Sequence, residues 1–315
     1  MRTLGGRYEL EQRAGLGGMS EVWRAHDRVL DRTVAVKLIS PGLDGDVGAV
    51  QRIRSEARSA ARLVHPNVAS VHDFGTAELP DGRPVPYIVM ELAEGETLAA
   101  HLRNGPLDWR IAVRVCAEVC AALAAAHGHG IVHRDVKPAN VILTPFGVKV
   151  LDFGIATPAG APDHTPEGVV VGTPAYLAPE QLDRQPATPA ADMYALGVLL
   201  YYCLTGRLPY DAGSTTQLLG SRRRRPPQPL PEIPGLPPEV AELCRSCLDA
   251  DPAARPTSAM AALLLAEAVD ARVYVPMTVT LPRQRAAQVS PWNSRAAAEA
   301  TEAMAVDAAT SGRVG

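Results

Sequence analysis

The sequence predicts an α+β protein with two lobes: a small, β-rich N-terminal lobe with one main helix and a larger, mostly helical C-terminal lobe. Short apolar runs separated by turn residues extend to about residue 92, which is typical of strands. Beyond Gly95 the apolar segments are longer and have helical spacing. The chain has 315 residues, 47% of them hydrophobic, and is long enough for two lobes that share a core.

In the small lobe, the segments TVAVKLI (33–39) and PYIVMEL (86–92) have the β-branched content of strands. The segment GTAELPDGRPVP (75–86) predicts a turn because it is rich in glycine and proline. Residues 49–64 predict a helix, because apolar side chains recur there every three or four positions. These side chains are Val50, Ile53, Ala57 and Ala60.

In the large lobe, helices are predicted over 110–127 and 190–204, the first ending at the glycines of HGHG. Between them, GIVHRDVKPANVIL (130–143) and GVKVLDFG (147–154) are short β-type runs that end in polar residues. We therefore expect the chemistry of this lobe to lie on loops. From residue 269 onward Ala, Thr, Ser and Arg dominate, which predicts a partly disordered tail.

Charge and cysteine content narrow the class of protein. With a net charge of −3 the protein has no excess of positive charge, so binding to nucleic acid would depend on a local basic patch. The candidate is the arginine run 222–225, but it leads into a proline-rich stretch typical of a solvated loop. We expect no nucleic-acid partner.

Five cysteines and no apolar signal segment indicate a reducing compartment, and Cys244 and Cys247 lack the further ligands of a zinc site. The most apolar run, 193–204, is too short to cross a bilayer, so we expect a cytoplasmic protein without a membrane span.

The segment HRDVKPAN (133–140) carries the residues most typical of phosphate chemistry. Asp135 and Asn140, with Asp152 further along the chain, offer the hard oxygen ligands that Mg²⁺ accepts, and Lys137 adds a positive charge for a phosphate. Phosphoryl transfer needs mainly positioning and neutralisation of negative charge, and this residue set supplies both.

Two upstream segments could bind the nucleotide that such chemistry requires. GLGGMSEV (15–22) is a glycine-rich turn whose N–H groups could approach phosphates, although glycines in a hairpin are more often simply turn residues. Lys37 leaves an apolar strand, where an ammonium group needs a partner, and Glu56 on the predicted helix can supply one. The alternative is a strand lysine that only reaches solvent.

Together, GLGGMSEV, VAVK (34–37), Glu56, HRDVKPAN, DFG (152–154) and APE (178–180) resemble, in order and spacing, the motifs of the eukaryotic-like (bacterial) serine/threonine protein kinase family. The resemblance covers residues 8–268. It implies the bilobal protein kinase fold, with lobes 8–92 and 93–268, followed by a tail over 269–315. It also implies ATP and Mg²⁺ or Mn²⁺ as cofactors.

The resemblance implies one role for each residue of the reacting centre. Asp135 would orient the substrate hydroxyl and accept its proton, and Lys137 would steady the γ-phosphate. Asn140 and Asp152 would bind the metal ion. Lys137 also fits the serine/threonine-specific pattern, so proteins bearing these hydroxyls are the implied substrates.

For the nucleotide, the resemblance makes Lys37 the ligand of the α- and β-phosphates, locked by Glu56. Met90 would be the gatekeeper at the back of the adenine pocket, and residues 91–93 the hinge. Ser20 replaces the third glycine of the phosphate loop, which would cost about 1 kcal/mol if the position needed a positive φ. The residues implied to contact ATP are Gly15, Leu16, Gly17, Gly18, Val22, Ala35, Lys37, Met90, Glu91, Ala93 and Ile142.

Other matched residues would hold the loops in place. His133 and Phe153 would pack, Glu180 would pair with Arg255, and Asp192 would hold the catalytic loop from the helix below it.

The chain has an arginine, Arg134, directly before Asp135. In this respect it resembles kinases that are controlled by phosphorylation of the loop between DFG and APE. We predict autophosphorylation of Thr165, with Glu167 supplying part of the charge. A homodimer is compatible with the sequence, and VYVPMTVTL (273–281) in the tail could dock a partner. Two alternatives stay open: a pseudokinase that only binds nucleotide, and a small-molecule phosphotransferase.

Overall fold

The computed structural model describes residues 3–16, 20–39, 47–78, 84–153, 174–183, 185–210 and 226–276. Within these ranges, the side chains of residues 47–49, 52 and 56 lie outside the description. The compact unit that contains both lobes extends to Pro276.

The small lobe is a six-stranded antiparallel sheet with strand order β1-β2-β3-β4-β6-β5 and one helix, α1. One face buries a cluster that includes Tyr8, Val34 and Tyr87, and the other buries Ala35, Ile88 and Met90 against Ala57 of α1. The elements are β1 (Thr3–Leu4), β2 (Tyr8–Leu16), β3 (Ser20–Asp27), β4 (Arg32–Ile39), α1 (Val47–Ala60), β5 (Val71–Glu78) and β6 (Pro84–Met90).

The predicted strands and helix of this lobe are confirmed, but the turn predicted over 75–86 is too long. Strand β5 continues to Glu78 and β6 begins at Pro84, which leaves 79–83 between them, outside the described residues. Pro84 and Pro86 are tolerated because β6 pairs with β4 only from Tyr87 onward, so neither proline has to donate a hydrogen bond to that neighbour.

The large lobe is built around α3, which begins after the N-cap Asp108 and is packed by α5 and α7. This helix is long and apolar enough to cross a membrane, but 72% of its most apolar window is buried in the domain. A core helix meets the same criterion. The elements are β7 (Glu96–Thr97), α2 (Leu98–Leu102), α3 (Trp109–Gly128), β8 (Val141–Thr144), β9 (Gly147–Val150), α4 (Pro179–Leu182), α5 (Pro189–Thr205), α6 (Pro238–Cys247) and α7 (Ser258–Ala268).

The five cysteines are free and buried, and they lie on α3, α5 and α6. Cys244 and Cys247 belong to the hydrophobic core of the large lobe, and burial raises the pKa of the Cys244 thiol to about 12. The CxxC spacing on α6 therefore directs both thiols into the packing of the lobe.

The residues that follow α7 are ordered against the domain, although composition assigns them to the tail. Val273 and Val275 pack on the core of the large lobe. His65, in the loop after α1, places Nε2 at 2.7 Å from the backbone oxygen of Tyr274, while its Nδ1 accepts from the N–H of Asn67 at 3.1 Å. Burial lowers the pKa of His65, which favours the neutral ring that both hydrogen bonds require. Residues 271–276 thus link the end of the large lobe to the loop behind α1.

A chain that ends at Ala268 should therefore be less stable than one that ends at Pro276, by about 2 to 3 kcal/mol, since three partly buried valines (Val269, Val273 and Val275) and one partly buried hydrogen bond are lost. Thermal denaturation of the two chains, compared with the full chain, measures this difference. Equal midpoints for all three would contradict a role for this segment in the fold.

Candidate active site

A cleft of about 890 Å³ lies between the lobes, within the range of small-ligand sites. Both lobes contribute to it. At Gly95, which lines the cleft, the backbone of β8 is so close that a Cβ on this residue would lie 2.0 Å from the oxygen of Leu143. The predicted residues that line the cleft are Gly15, Leu16, Val22, Ala35, Met90, Glu91, Ala93, Lys137, Asn140, Ile142 and Asp152. Lys37 and Asp135 each form an ion pair with one of these lining residues, Lys37 with Asp152 and Asp135 with Lys137.

Lys37, on β4 of the small lobe, reaches across the cleft to the large lobe. Its Nζ lies 2.8 Å from Oδ1 of Asp152, and both side chains are largely shielded from water. Glu56 lies on α1 as predicted, but its side chain is outside the described residues, so its pairing with Lys37 stays a prediction. The ammonium group therefore has an anionic partner in this cleft, which excludes the alternative of a lysine that only reaches solvent.

Asp135, Lys137 and Asn140 form one bonded group on the loop before β8. Lys137 Nζ lies 2.6 Å from Oδ2 of Asp135. The amide nitrogen of Asn140 donates to the same oxygen at 3.0 Å and to the backbone oxygen of Asp135 at 2.8 Å. The carboxylate is thus oriented by a cation and an amide, and the side-chain oxygen of Asn140 is the atom of this residue that could accept a cation.

Asp192, almost fully buried on α5, holds this loop from below as predicted. Its two carboxylate oxygens accept from the N–H groups of His133 and Arg134, both at 2.8 Å. Arg134 has a φ of 70°, a left-handed conformation that costs about 1–2 kcal/mol in a residue other than glycine. The buried carboxylate fixes that conformation. His127 also contacts Asp192, at 2.8 Å, and sequence reasoning did not identify it.

His133 and Phe153 pack as predicted, with ring centroids 4.6 Å apart in an edge-to-face arrangement. His133 Nε2 lies 2.8 Å from the backbone oxygen of Leu151, next to Asp152. Asp152 has a φ of 62°, so the DFG segment, like the catalytic loop, contains a residue in the left-handed region. The two loops that carry the acidic residues are therefore held to one another.

Glu180 and Arg255 form the predicted ion pair, and it is bidentate and buried. Arg255 donates from two nitrogens to the two oxygens of Glu180, at 2.6 and 2.8 Å. Arg255 also donates to the backbone oxygens of Ala190 and Asp249, both at 2.9 Å. These contacts join α4 and α5 to the loop before α7.

Ser20 is the first residue of β3, and it is not among the described residues with a positive φ. The strain considered for a serine at this position is therefore not present. Several other predicted residues lie outside the described residues and stay predictions. They are Gly17 and Gly18 of the glycine-rich turn, and Thr165 and Glu167 of the segment before APE.

The donor set fits a divalent cation bound together with phosphates. Mg²⁺ is usually held by one or two carboxylates together with phosphate oxygens and water, and here Asp152 and Asn140 both line the cleft. Lys37 and Lys137 add the positive charge that a polyphosphate needs.

Most of the chain is similar to known proteins. The family model described as protein kinase domain matches residues 8–267. The serine/threonine-protein kinase PknA of Mycobacterium tuberculosis is 43% identical over 255 residues, which is 80% of this chain and 59% of that protein. PksC of Streptomyces coelicolor is 41% identical over 266 residues (82% and 48%), and PrkC of Bacillus subtilis is 40% identical over 219 residues (69% and 33%). The match thus spans between a third and three-fifths of the length of these relatives.

Proposed function

The chain belongs to the protein kinase family, in its eukaryotic-like bacterial serine/threonine branch, and on this premise we propose that it transfers the γ-phosphate of ATP to serine and threonine hydroxyls of proteins as a signalling kinase. The observation that carries the proposal is the bonded group of Asp135, Lys137 and Asn140, facing the Lys37–Asp152 pair in one cleft.

In the proposed reaction, Asp135 orients the acceptor hydroxyl and takes its proton as the hydroxyl oxygen bonds to the γ-phosphorus. The bond between that phosphorus and the bridging oxygen breaks, and ADP leaves. Lys137, 2.6 Å from Asp135, is placed to neutralise the transferred phosphoryl group. When bound, Mg²⁺ or Mn²⁺ neutralises charge on the phosphate oxygens, and Asn140 and Asp152 would hold it.

The nucleotide is proposed to lie in the cleft with its base against the hinge. Val22 and Ala35 would contact the base from above and Ile142 from below, with Met90 at the back. Lys37 would exchange its contact with Asp152 for the α- and β-phosphates, since a polyphosphate carries more negative charge than one carboxylate.

Two observations favour this function over the alternatives. A pseudokinase is expected to lack one of Lys37, Asp135 and Asp152, whereas here all three lie in the same site with bonded partners. A small-molecule phosphotransferase is disfavoured because the curated relatives are serine/threonine-protein kinases that match about 70 to 80% of this chain.

A panel of acceptors tests the proposal. The purified chain, ATP and Mg²⁺ would be incubated with peptide libraries that offer only serine, threonine or tyrosine, and separately with aminoglycosides. Transfer to the serine and threonine libraries is expected. Transfer confined to the aminoglycosides would identify a small-molecule enzyme.

We further propose that the kinase activates itself by phosphorylating Thr165. The change Thr165→Ala should lower the rate on a peptide acceptor about tenfold or more, because Arg134 would lack its phosphate partner. Phosphosite mapping and initial rates check this, with Thr157→Ala as the matched control in the same segment. Full activity of Thr165→Ala, with phosphate mapped elsewhere, would contradict the proposal.

We also propose that the protein acts in the cytoplasm. Five free, buried thiols are compatible with a reducing cytoplasm. We further propose that the protein forms a homodimer and that the tail docks a partner. Deletion of residues 277–315 tests the role of the tail in both, and this boundary keeps Tyr274 in place. Oligomeric state by light scattering and recovery of partners would both be unchanged if the tail had no such role.

A further inference from the structure

Glu91 is the first residue of the hinge, and its carboxylate forms an ion pair with Lys149 of β9. Lys149 Nζ lies 2.7 Å from Oε1 and 2.9 Å from Oε2 of Glu91, so the ammonium group contacts both oxygens. The N–H of Ser70 donates to Oε2 at 3.2 Å. The two charged side chains are 22% and 30% exposed, which limits screening of their attraction by water.

The backbone of Glu91 is fixed to the same place. Its N–H donates to the oxygen of Ser70 at 2.8 Å. The segment that ends at Ser70 runs beside β9, because Val68 forms a parallel bridge with Val150 and the N–H of Ala69 donates to the oxygen of Val150 at 3.0 Å. Lys149 therefore completes a connection between the hinge, the loop after α1 and β9.

This connection fixes the position of the hinge relative to the segment that carries Asp152. Lys149 lies three residues before Asp152, and it pairs in the sheet with Ile142, which lines the cleft. At the other end, Glu91 itself lines the cleft, and its N–H and carboxylate are engaged by Ser70 and Lys149, so we expect a base to contact its backbone oxygen. Movement of Glu91 would change the position of that oxygen relative to Asp152.

We propose that Lys149 is a positioning residue for the nucleotide, which acts by holding Glu91 and so the hinge carbonyl in place. The inference rests on the proposed function, since it assumes that the cleft binds ATP. Lys149 is not one of the residues that line the cleft among those the structure describes, so it would contact neither the reacting phosphate nor the acceptor. Its loss should therefore weaken nucleotide binding more than it slows the chemical step.

The test compares Lys149→Met, which removes the charge and keeps the length, with Lys149→Arg, Glu91→Gln and the double variant Lys149→Met/Glu91→Gln. Titration calorimetry with a non-hydrolysable ATP analogue and Mg²⁺ measures affinity, and steady-state kinetics separates KM from kcat. Lys149→Met should weaken affinity about fivefold and raise KM for ATP in step, with a smaller change in kcat. Lys149→Arg should restore most of the affinity.

The double variant tests whether Lys149 acts through Glu91. If it does, the double variant should bind the analogue about as tightly as the weaker single variant, because each change removes the same interaction. Arg245→Met is the matched control, since it breaks an ion pair with Glu242 on the surface of α6, and it should leave affinity unchanged.

Wild-type affinity in Lys149→Met would overturn the inference, as would effects of the two single changes that simply add. An equal loss of affinity in Arg245→Met would also overturn it, because a general effect of lost ion pairs would then suffice. Failure of the wild-type chain to bind the analogue would instead contradict the proposed function, so the two outcomes are distinguishable.

Discussion

The change Asp135→Asn should lower the rate of phosphate transfer by about a thousandfold or more, while ATP affinity stays within about threefold. Asparagine has nearly the same shape, but it cannot accept the proton of the acceptor hydroxyl. The change also removes the anion 2.6 Å from Lys137 Nζ, so the lysine loses an anionic partner. Binding should survive because Lys37 and the hinge do not depend on Asp135.

Single-turnover rates and calorimetry with the ATP analogue measure both quantities. Asp108→Asn is the matched control, because Asp108 caps α3 by accepting from the N–H of Arg110 and asparagine caps a helix about as well. This control should transfer phosphate at the wild-type rate. A rate for Asp135→Asn within about tenfold of wild type would contradict the assignment of Asp135 as the base.

The second large effect is on stability: Arg255→Met should lower the free energy of unfolding by about 3 to 5 kcal/mol. The Arg255 side chain has no exposed surface, and its removal leaves Glu180, which is 7% exposed, as a buried carboxylate without its cation. The backbone oxygens of Ala190 and Asp249 also lose a donor.

Urea denaturation followed by circular dichroism measures this loss, and Arg245→Met provides the exposed comparison. Arg245 pairs with Glu242 at the surface, where solvent screens the charges, so its loss should barely move the midpoint. Adding Glu180→Gln to Arg255→Met should recover part of the stability, since the unpaired charge is then removed. Equal midpoints for Arg255→Met and Arg245→Met would argue against a structural role for the buried pair.

The sequence predicted those parts of the site whose residues are close along the chain. Asp135, Lys137 and Asn140 lie on one short loop, so their contacts follow from local geometry once the loop is recognised. Contacts between distant residues, such as Glu180 with Arg255, came only from the resemblance, because nothing in either segment indicates its partner.

The features that sequence reasoning missed depend on partners far away in the chain. Lys149 is an ordinary alternating residue of a short strand, and its partner Glu91 is 58 positions away. Residues 271–276 have the composition of a tail, but their order comes from packing on the large lobe and from His65, 209 positions before Tyr274. Pro84 and Pro86 indicated a turn because the sequence does not show that β6 extends beyond its neighbour β4.

The most direct test of the central claim is phosphate transfer from γ-labelled ATP by the purified chain in the presence of Mg²⁺, with every modified residue identified by mass spectrometry. We predict label on serine or threonine of the chain itself or of an added protein, and no label with Asp135→Asn. If the wild-type chain binds ATP but labels no serine or threonine, on itself or on any protein acceptor, the claim is contradicted and the cleft is that of a nucleotide-binding interaction module.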